Sequence, residues 1–276
     1  MEELGKMINF KLKQIDEVPL AGEEGNFRMN WFWLTEADLW LTLGDATLYE
    51  YSPEAMVYFE DKESAYNDYP LSRFIDDFTE LFEEISESIP KEIYQLTDNL
   101  NGFLTDAETW KELYESDADE DFYFKEYYSL ISWTYKRAFG SGHLIGGPYF
   151  SFLRCEDKIR IFWKTEYQLE NGIELWKAKD GSIEMLFSDF LNQIKDFGKR
   201  FFEQMNKLVQ LALEKDWKEV RIDKKELVEE HAFRELDFYK QVAFLEQTSK
   251  VKTNWKLVKE LNSRMQKELN TNDQLS

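Results

Sequence analysis

The sequence contains very little cysteine and histidine, and each scarcity excludes a class of protein. Of 276 residues only Cys155 is a cysteine, so no disulfide can form within the chain, as is typical of a reducing compartment. We expect Cys155 to be a buried, inert thiol. His143 and His231 are the two histidines, too few for a site of several histidine ligands or for most catalytic triads. We therefore assign no metal, no other cofactor and no catalytic residue.

Long apolar runs are also missing. No stretch approaches the roughly 20 residues that a membrane-spanning helix needs. Residues 1–14 contain no apolar segment followed by small residues, so the N-terminus does not resemble a signal peptide. These absences predict a cytoplasmic protein that does not interact with a membrane.

Aromatic residues, by contrast, are abundant. The chain has 22 Phe, 14 Tyr and 9 Trp, which make up 16% of the sequence. Because aromatic side chains bury large areas, this content predicts a well-packed globular core even though 32% of the residues are charged. Tyr and Trp are also enriched at binding surfaces, so a minority of them are candidate anchors for a partner.

The net charge of −21 lies entirely in the first half of the chain. Residues 1–140 contain 11 Lys and Arg against 32 Asp and Glu, whereas residues 141–276 contain 23 of each. Phosphate groups are repelled by such a surface, so we expect no direct nucleic acid binding by the N-terminal half. The asymmetry favours a basic partner, and solubility alone is the alternative explanation.

Two regions show the period-two alternation of strands. Gly44 and Asp45 separate two strands of the first region, which predicts a hairpin. The predicted strands of the first region are residues 7–12, 29–34, 39–43 and 47–51. Those of the second region are residues 143–153, 158–164, 172–178 and 182–185.

Helical periodicity follows each strand region. In the first half, the predicted helices span residues 71–85, a segment that begins at the capping sequence 105–108, and residues 122–139, with Gly140 as C-cap. In the second half, they span residues 190–212, 223–245 and 253–269. Ser188 is the predicted N-cap of the first of these and Asp223 that of the second. Strands and helices do not alternate strictly, which favours an α+β fold over a doubly wound one. We predict one domain, residues 1–276, with an antiparallel or mixed sheet packed against several helices.

One stretch, residues 141–209, resembles a bacterial family catalogued as domain of unknown function 5984. The matching elements are a glycine-rich segment, aromatic strands, an Asn-Gly turn, a Leu-Trp strand and a final helix, at residues 142–148, 150–152, 157–163, 171–172, 175–178 and 190–197. Residues 8–19, 26–40 and 229–234 also resemble the family, although Trp33 and Ala37 stand at glycine positions. The resemblance implies one coherent domain and no known activity.

Glycines and acidic residues provide the candidate sites. Residues 140–148 are rich in glycine but follow a helix and precede a strand, the reverse of a phosphate-binding loop. Asp117, Asp119 and Asp121 resemble the start of a calcium loop, yet the required glycine and glutamate positions hold Phe122 and Tyr128. A solvated acidic face is therefore the better interpretation, and no carboxylate pair stands out for acid–base catalysis.

We predict a non-catalytic binding protein, similar to an immunity or counter-defence protein, that presents its acidic N-terminal half to a basic protein partner. Candidate contacts lie on the outer side of the predicted helix 71–85 and in the following acidic run. They are Asp76, Asp77, Glu80, Glu83, Glu84, Asp117, Asp119, Glu120 and Asp121. Two alternatives remain: an intracellular enzyme with carboxylates in a cleft between the two halves, and a housekeeping protein whose charge serves solubility.

Overall fold

A computed structural model describes residues 5–60, 62–114, 122–141, 144–247 and 251–273. Its strands are β1 (Ile8–Leu12), β2 (Arg28–Met29), β3 (Glu36–Leu43), β4 (Ala46–Leu48), β5 (Asn67–Pro70), β6 (Ala138–Gly140), β7 (Tyr149–Cys155), β8 (Lys158–Lys164), β9 (Gly181–Leu186) and β10 (Arg221–Ile222). The first helices are α1 (Trp31–Leu34), α2 (Pro53–Tyr58), α3 (Leu71–Thr79), α4 (Phe82–Ser86), α5 (Lys91–Tyr94) and α6 (Leu100–Glu112). The later ones are α7 (Tyr128–Tyr135), α8 (Phe187–Glu214), α9 (Lys224–Glu246) and α10 (Trp255–Asp273). The fold is α+β, as the sequence predicts.

Sheet 1 is antiparallel and has β3 at its centre. β1 pairs with one edge of β3, and β4 and β5 pair with successive parts of the other edge. Strand β3 alternates strictly, so Ala37, Leu39, Leu41 and Leu43 face the core while the intervening residues face outward. The outward set is polar or aromatic: Glu36, Asp38, Trp40 and Thr42. The predicted hairpin at Gly44 is confirmed, with Gly44 at a φ of +60°.

Sheet 2 is an antiparallel meander of β6, β7, β8 and β9. The predicted strand 158–164 is confirmed to the residue, but β7 begins at Tyr149 rather than at residue 143. The predicted strand 172–178 is wrong, because those residues form only isolated bridges such as Tyr51 with Trp176. Its backbone instead bonds to the loops beside α2, where the Ser52 amide donates to the Leu175 carbonyl.

The two sheets contribute to the same apolar cluster. This cluster joins Leu39 and Leu41 of sheet 1 to Phe150 and Ile161 of sheet 2, and it includes the buried side of α8. The other face of sheet 2 packs on a second cluster, formed by α5, α6, α7 and α10. Sheet 2 is thus covered on both faces, whereas the outward face of β3 in sheet 1 does not belong to either apolar cluster.

Several predicted helix boundaries are wrong. The predicted helix 71–85 is divided into α3 and α4, because the Leu81 amide bonds to the Phe78 carbonyl three residues back rather than four. Helix α6 starts at Leu100 rather than near Thr105, because the Asn99 side chain caps the Gly102 amide at 3.1 Å. Helix α8 begins at Phe187 without a side-chain cap, so Ser188 is not its N-cap.

Two further segments differ from the sequence-based prediction. The predicted strand 29–34 is mostly helix α1, with Asn30 as its N-cap. The predicted helix 122–139 ends at Tyr135, and Gly140 lies in β6 rather than at a left-handed C-cap. Strand β6 forms because Phe139 stacks on Phe150 and Phe152 of the neighbouring strand.

Candidate functional site

The predicted acidic contacts on α3 and α4 face cations of the C-terminal half. Both carboxylate oxygens of Asp76 accept from Arg234 Nη1, at 2.8 and 2.9 Å. Lys252 Nζ lies 2.7 Å from Glu83 and 3.7 Å from Glu84. This side of the helices is therefore partly neutralised within the molecule.

The other predicted contacts differ in their surroundings. Asp77 is half-buried and lies close enough to Tyr49 and Tyr69 to act on both electrostatically. Glu80 is exposed at the end of α3. Asp117, Asp119, Glu120 and Asp121 lie outside the described residues. Three of the five helix carboxylates, Asp76, Glu83 and Glu84, therefore lie beside cations of the C-terminal half.

Ion pairs between the two halves extend well beyond this face, and no local sequence pattern predicts them. Acidic residues of the first half pair with basic residues of the second at many points of the surface. The pairs include Asp16 with Lys215, Glu50 with Lys177, Asp76 with Arg234, Glu83 with Lys252, Glu92 with Lys259, Asp98 with Arg160, and Glu126 with Arg264. In the folded protein, cations of the second half thus partly neutralise the acidic residues of the first half.

A different group of carboxylates lies on the outward face of sheet 1. We call it the sheet-1 cluster: Lys13, Glu36, Asp38, Lys62 and Asp68. Strand β3 provides Glu36 and Asp38, two residues apart on one face, and Asp68 of β5 is directly opposite Asp38 in the strand register. Lys13 follows β1, and its amide donates to the Glu36 carbonyl at 2.9 Å. The antiparallel pairing of three neighbouring segments therefore places the three carboxylates close together.

Two lysines connect the carboxylates of the sheet-1 cluster. Lys13 Nζ lies 3.3 Å from Asp38 and 3.1 Å from Asp68. Lys62 Nζ lies 3.4 Å from the other Asp68 oxygen and 4.9 Å from the centre of the Tyr51 ring. Asp38 is nearly inaccessible, with its side chain 10% exposed, whereas that of Asp68 is 43% exposed.

Glu36 has no ion pair among the described residues, although it belongs to the same cluster. Burial raises the pKa of Glu36, and the nearby charge of Asp68 raises it further, while Lys13 and Arg73 oppose the shift only partly. The pKa of Asp68 shifts the other way: burial would raise it, but Lys62 and Lys13 together lower it. The cluster thus holds three carboxylates and two ammonium groups, and Glu36 is the carboxylate that lacks a close cation.

A cavity of about 810 Å³ opens beside the cluster. Its charged lining residues are Lys11, Lys13, Glu17, Asp38, Lys62, Glu63 and Asp68. Trp40 and Tyr66 stack on the same face of the sheet, with ring centres 4.2 Å apart. A concave, charged site next to an aromatic pair can hold a cationic side chain, because carboxylates attract the charge and aromatic rings pack on its alkyl part.

The two lysines of the cluster lack the features of a catalytic nucleophile. The ion pairs with Asp68 and Asp38 raise the pKa of Lys13 although burial lowers it, so its amine stays protonated and is a poor nucleophile. The pKa of Lys62 is raised by Tyr51 and Asp68 in the same way, against the effect of burial. Within the described ranges, no group of three or more His, Cys, Asp and Glu side chains is arranged to hold a metal ion.

The groove between the two halves, where the alternative enzyme site was predicted, has a volume of about 630 Å³. Asp98 and Asp180 are its two carboxylates. Asp98 lies 2.6 Å from Arg160, and Asp180 accepts the Thr165 amide at 2.7 Å and the Glu166 amide at 3.2 Å. Both carboxylates therefore already have partners, and their arrangement does not single out an acid–base pair.

His231 and Cys155 serve packing. His231 is buried, and its Nδ1 accepts a hydrogen bond from Trp31 Nε1 at 3.2 Å. Cys155 ends β7 as a buried thiol, as predicted, and burial raises its pKa. His143 lies outside the described residues.

The sheet-1 cluster could have been found from one sequence signal. Every second residue of 36–42 is polar or aromatic, which marks an outward strand face. The lysines and Asp68, however, come from segments whose pairing with β3 no local pattern reveals. The helices of the described residues, for their part, include none that is long and apolar enough to span a membrane.

Comparison with known proteins provides a family. The model of a family of unknown function, DUF5984, matches residues 7–261. Searches of curated proteins and of solved structures found no match. The family match covers nearly the whole chain, including both sheets and the sheet-1 cluster, and so agrees with the resemblance found in residues 141–209. The chain belongs to this family of unknown function.

Proposed function

We propose that this protein is a non-catalytic binding protein that docks a basic protein partner at the sheet-1 cluster. Its role would be similar to that of an immunity or counter-defence protein, which neutralises its partner by occupying a surface. The observation that supports this most directly is Glu36, a half-buried carboxylate on the same face of β3 as Asp38. Asp38 and Asp68 line the cavity, and Glu36 beside them forms no ion pair among the described residues.

A cationic side chain of the partner would complete the cluster. It would relieve the repulsion between Glu36 and its two neighbouring carboxylates, which Lys13 and Arg73 offset only partly in the free protein. The same contact would lower the pKa of Glu36, so docking near the raised pKa should release a proton. Carboxylates at the cavity rim, Glu17 and Glu63, add the longer-range attraction that speeds association.

Apolar anchors are available next to the cavity. Val57 and Tyr58 of α2 are 77% and 54% exposed, and Phe59, which follows them, lines the cavity. Tyrosine is enriched among interface hot spots, so Tyr58 is the candidate anchor of this group. A protein partner fits this combination better than nucleic acid does, because phosphates would meet the carboxylates of the cluster.

The test begins with a partner captured by cross-linking in cells that produce the protein naturally. Association rates are then measured at low and moderate salt for three charge-reversal variants. Glu36→Lys places a cation inside the sheet-1 cluster, Glu80→Lys makes the same change on α3, and Glu203→Lys makes it on α8, in the C-terminal half. We expect Glu36→Lys to slow association about tenfold or more and to weaken its salt dependence.

The three variants distinguish the possible docking faces. A rate that falls with Glu80→Lys but not with Glu36→Lys would move the docking site to the helix carboxylates Asp76, Asp77, Glu80, Glu83 and Glu84. Equal small effects of all three would indicate a general charge effect. If neither the substitutions nor the salt alters the rate, the docking function is wrong.

A further inference from the structure

Helix α9 carries an apolar stripe on its solvent side as well as one on its buried side. The buried stripe, which packs on α8 and α4, comprises Leu227, His231, Phe238, Val242 and Leu245. On the opposite side, Phe233 is 63% and Leu236 71% exposed. Val228, at 44%, and Tyr239, at 39%, lie at the edge of the exposed side, and the Tyr239 ring also contacts Phe202 of α8. A surface helix normally places charged or polar residues there.

The exposed stripe is long and continuous. At 100° per residue, Ala232, Leu236 and Ala243 lie along one line of the helix, with Phe233 on one side and Val228 and Tyr239 on the other. No other described part of the chain covers these side chains further than the exposed fractions above indicate. Monomeric proteins rarely expose apolar patches of this kind without a partner.

The charges on this line are placed symmetrically. Glu229 and Lys240 lie on the same face as Leu236, one toward each end of the stripe. Lys240 has no ion pair among the described residues. Glu229 has only Lys225, at 3.5 Å, and both side chains are well exposed, at 66% and 84%, so this pair contributes little.

We propose that a second copy of this chain covers the stripe, with the two α9 helices packed antiparallel about a two-fold axis. The two-fold axis crosses the helix pair at the peptide bond between Arg234 and Glu235. In this register, Lys240 of each copy lies opposite Glu229 of the other. The same register places Leu236 opposite Phe233. Each contact occurs twice, as in any two-fold interface, so the stripe is complementary to itself in both charge and apolar shape.

This dimer leaves the sheet-1 cluster free. Phe197 of α8 contacts Phe10 of β1 on one side and Phe238 of α9 on the other, so α8 separates sheet 1 from α9. The dimer is therefore independent of the proposed docking function. Together they would give an assembly with two docking faces, and avidity toward a partner that offers two sites.

Sedimentation velocity of the full chain over a range of concentrations tests the proposal. We expect the wild-type protein to be a dimer and Leu236→Asp to be a monomer of unchanged circular dichroism, because Leu236 is exposed in the single chain. Lys240→Glu or Glu229→Lys alone should raise the dissociation constant about tenfold or more, since each creates two like-charge contacts. The double variant, Lys240→Glu with Glu229→Lys, should restore it to within about threefold of wild type.

Three outcomes would overturn the proposal. A wild-type protein that stays monomeric at every concentration rules out the dimer. A dimer that survives Leu236→Asp forms through another face. Single charge reversals that weaken the dimer without rescue by the double variant contradict the antiparallel register. The control is Glu54→Lys, an exposed position on α2, which should leave the dissociation constant unchanged.

Discussion

Glu87 and Arg137 form a fully buried ion pair, with 2.7 Å between the carboxylate and Nη2 and side chains that are 1% and 0% exposed. The Glu87 carboxylate also accepts from the Lys252 and Thr253 amides, the Thr253 hydroxyl and Trp255 Nε1. Burial would raise the pKa of Glu87, but these donors and Arg137 outweigh it and keep its pKa below the usual value. One carboxylate thereby joins the end of α4, the segment after α7 and the start of α10.

Removing this carboxylate should be costly. We expect Glu87→Ala to lower the free energy of unfolding by about 3–5 kcal/mol, because Arg137 would be left as an uncompensated buried charge. Urea unfolding measures the change. The matched control is Glu83→Ala in the same region, whose side chain is 48% exposed and pairs with Lys252 at the surface. Its cost should be below about 1 kcal/mol, and a similar cost for both variants would contradict the assigned role of Glu87.

Trp163 provides a second stability test, in sheet 2. Its side chain is 6% exposed, its Nε1 donates to the Lys179 carbonyl at 2.8 Å, and its ring fills the space beside Gly181. We expect Trp163→Ala to destabilise by about 3–5 kcal/mol in chemical unfolding. Tyr135→Ala, at a ring that is 48% exposed, is the control and should cost much less. A loss below about 1 kcal/mol for Trp163→Ala would mean that the ring is not part of the core.

The elements that could be predicted from sequence are those whose signals are local. Strand β8 follows from strict alternation over residues 158–164, and α9 follows from the N-cap Asp223, whose carboxylate accepts the Lys225 and Glu226 amides. Strand β6 could not be predicted, because residues 138–140 become a strand only when Phe139 meets Phe150 and Phe152. The division between α3 and α4 likewise has no glycine or proline to signal it.

The candidate site was predictable to a smaller extent. The sequence shows an acidic N-terminal half, and it predicts outward-facing carboxylates on residues 76–84. It cannot show that Arg234, 158 residues from Asp76, neutralises one of them. Nor can it show that Asp38 and Asp68 face each other across two strands while Glu36 lacks a close cation. These are relations between distant segments, and only the tertiary fold determines them.

His231 should make stability depend on pH in a definite direction. Burial lowers its pKa, and the neighbouring charge of Glu235 opposes this only partly. The unfolded chain, with a histidine pKa of about 6.5, therefore takes up a proton at a higher pH than the native state does. The stability that His231 contributes is fully present above the pKa of the unfolded state. It is lost as the pH falls from that value toward the lower pKa of the native state.

Replacement by glutamine isolates this contribution. The amide oxygen of glutamine can still accept from Trp31 Nε1, but the side chain does not titrate. We expect urea unfolding to show a larger loss of stability between pH 8 and pH 5.5 for the wild type than for His231→Gln. Between pH 8 and pH 9 the two proteins should change alike, since imidazole is neutral in both states. Equal losses on acidification would contradict a lowered native pKa.

Gly198 of α8 lies directly against the Phe238 ring of α9. A Cβ atom built at this position would lie 2.8 Å from Cζ of the Phe238 ring and closer still to its edge. Alanine gains about 1 kcal/mol over glycine from helix propensity, whereas overpacking a core of this kind costs about 1–3 kcal/mol. We expect the clash to dominate, so that Gly198→Ala lowers the free energy of unfolding.

The decisive measurement is the same substitution in a second background. Phe238→Ala removes the ring that Gly198 accommodates, and it should itself cost about 3–5 kcal/mol. In that background the clash is absent and only the propensity gain remains, so Gly198→Ala should become stabilising by about 1 kcal/mol. A double-mutant cycle from urea unfolding gives the coupling between the two sites. If Gly198→Ala changes stability by the same amount with and without the Phe238 ring, close packing of α9 on α8 is not the reason for glycine at this position.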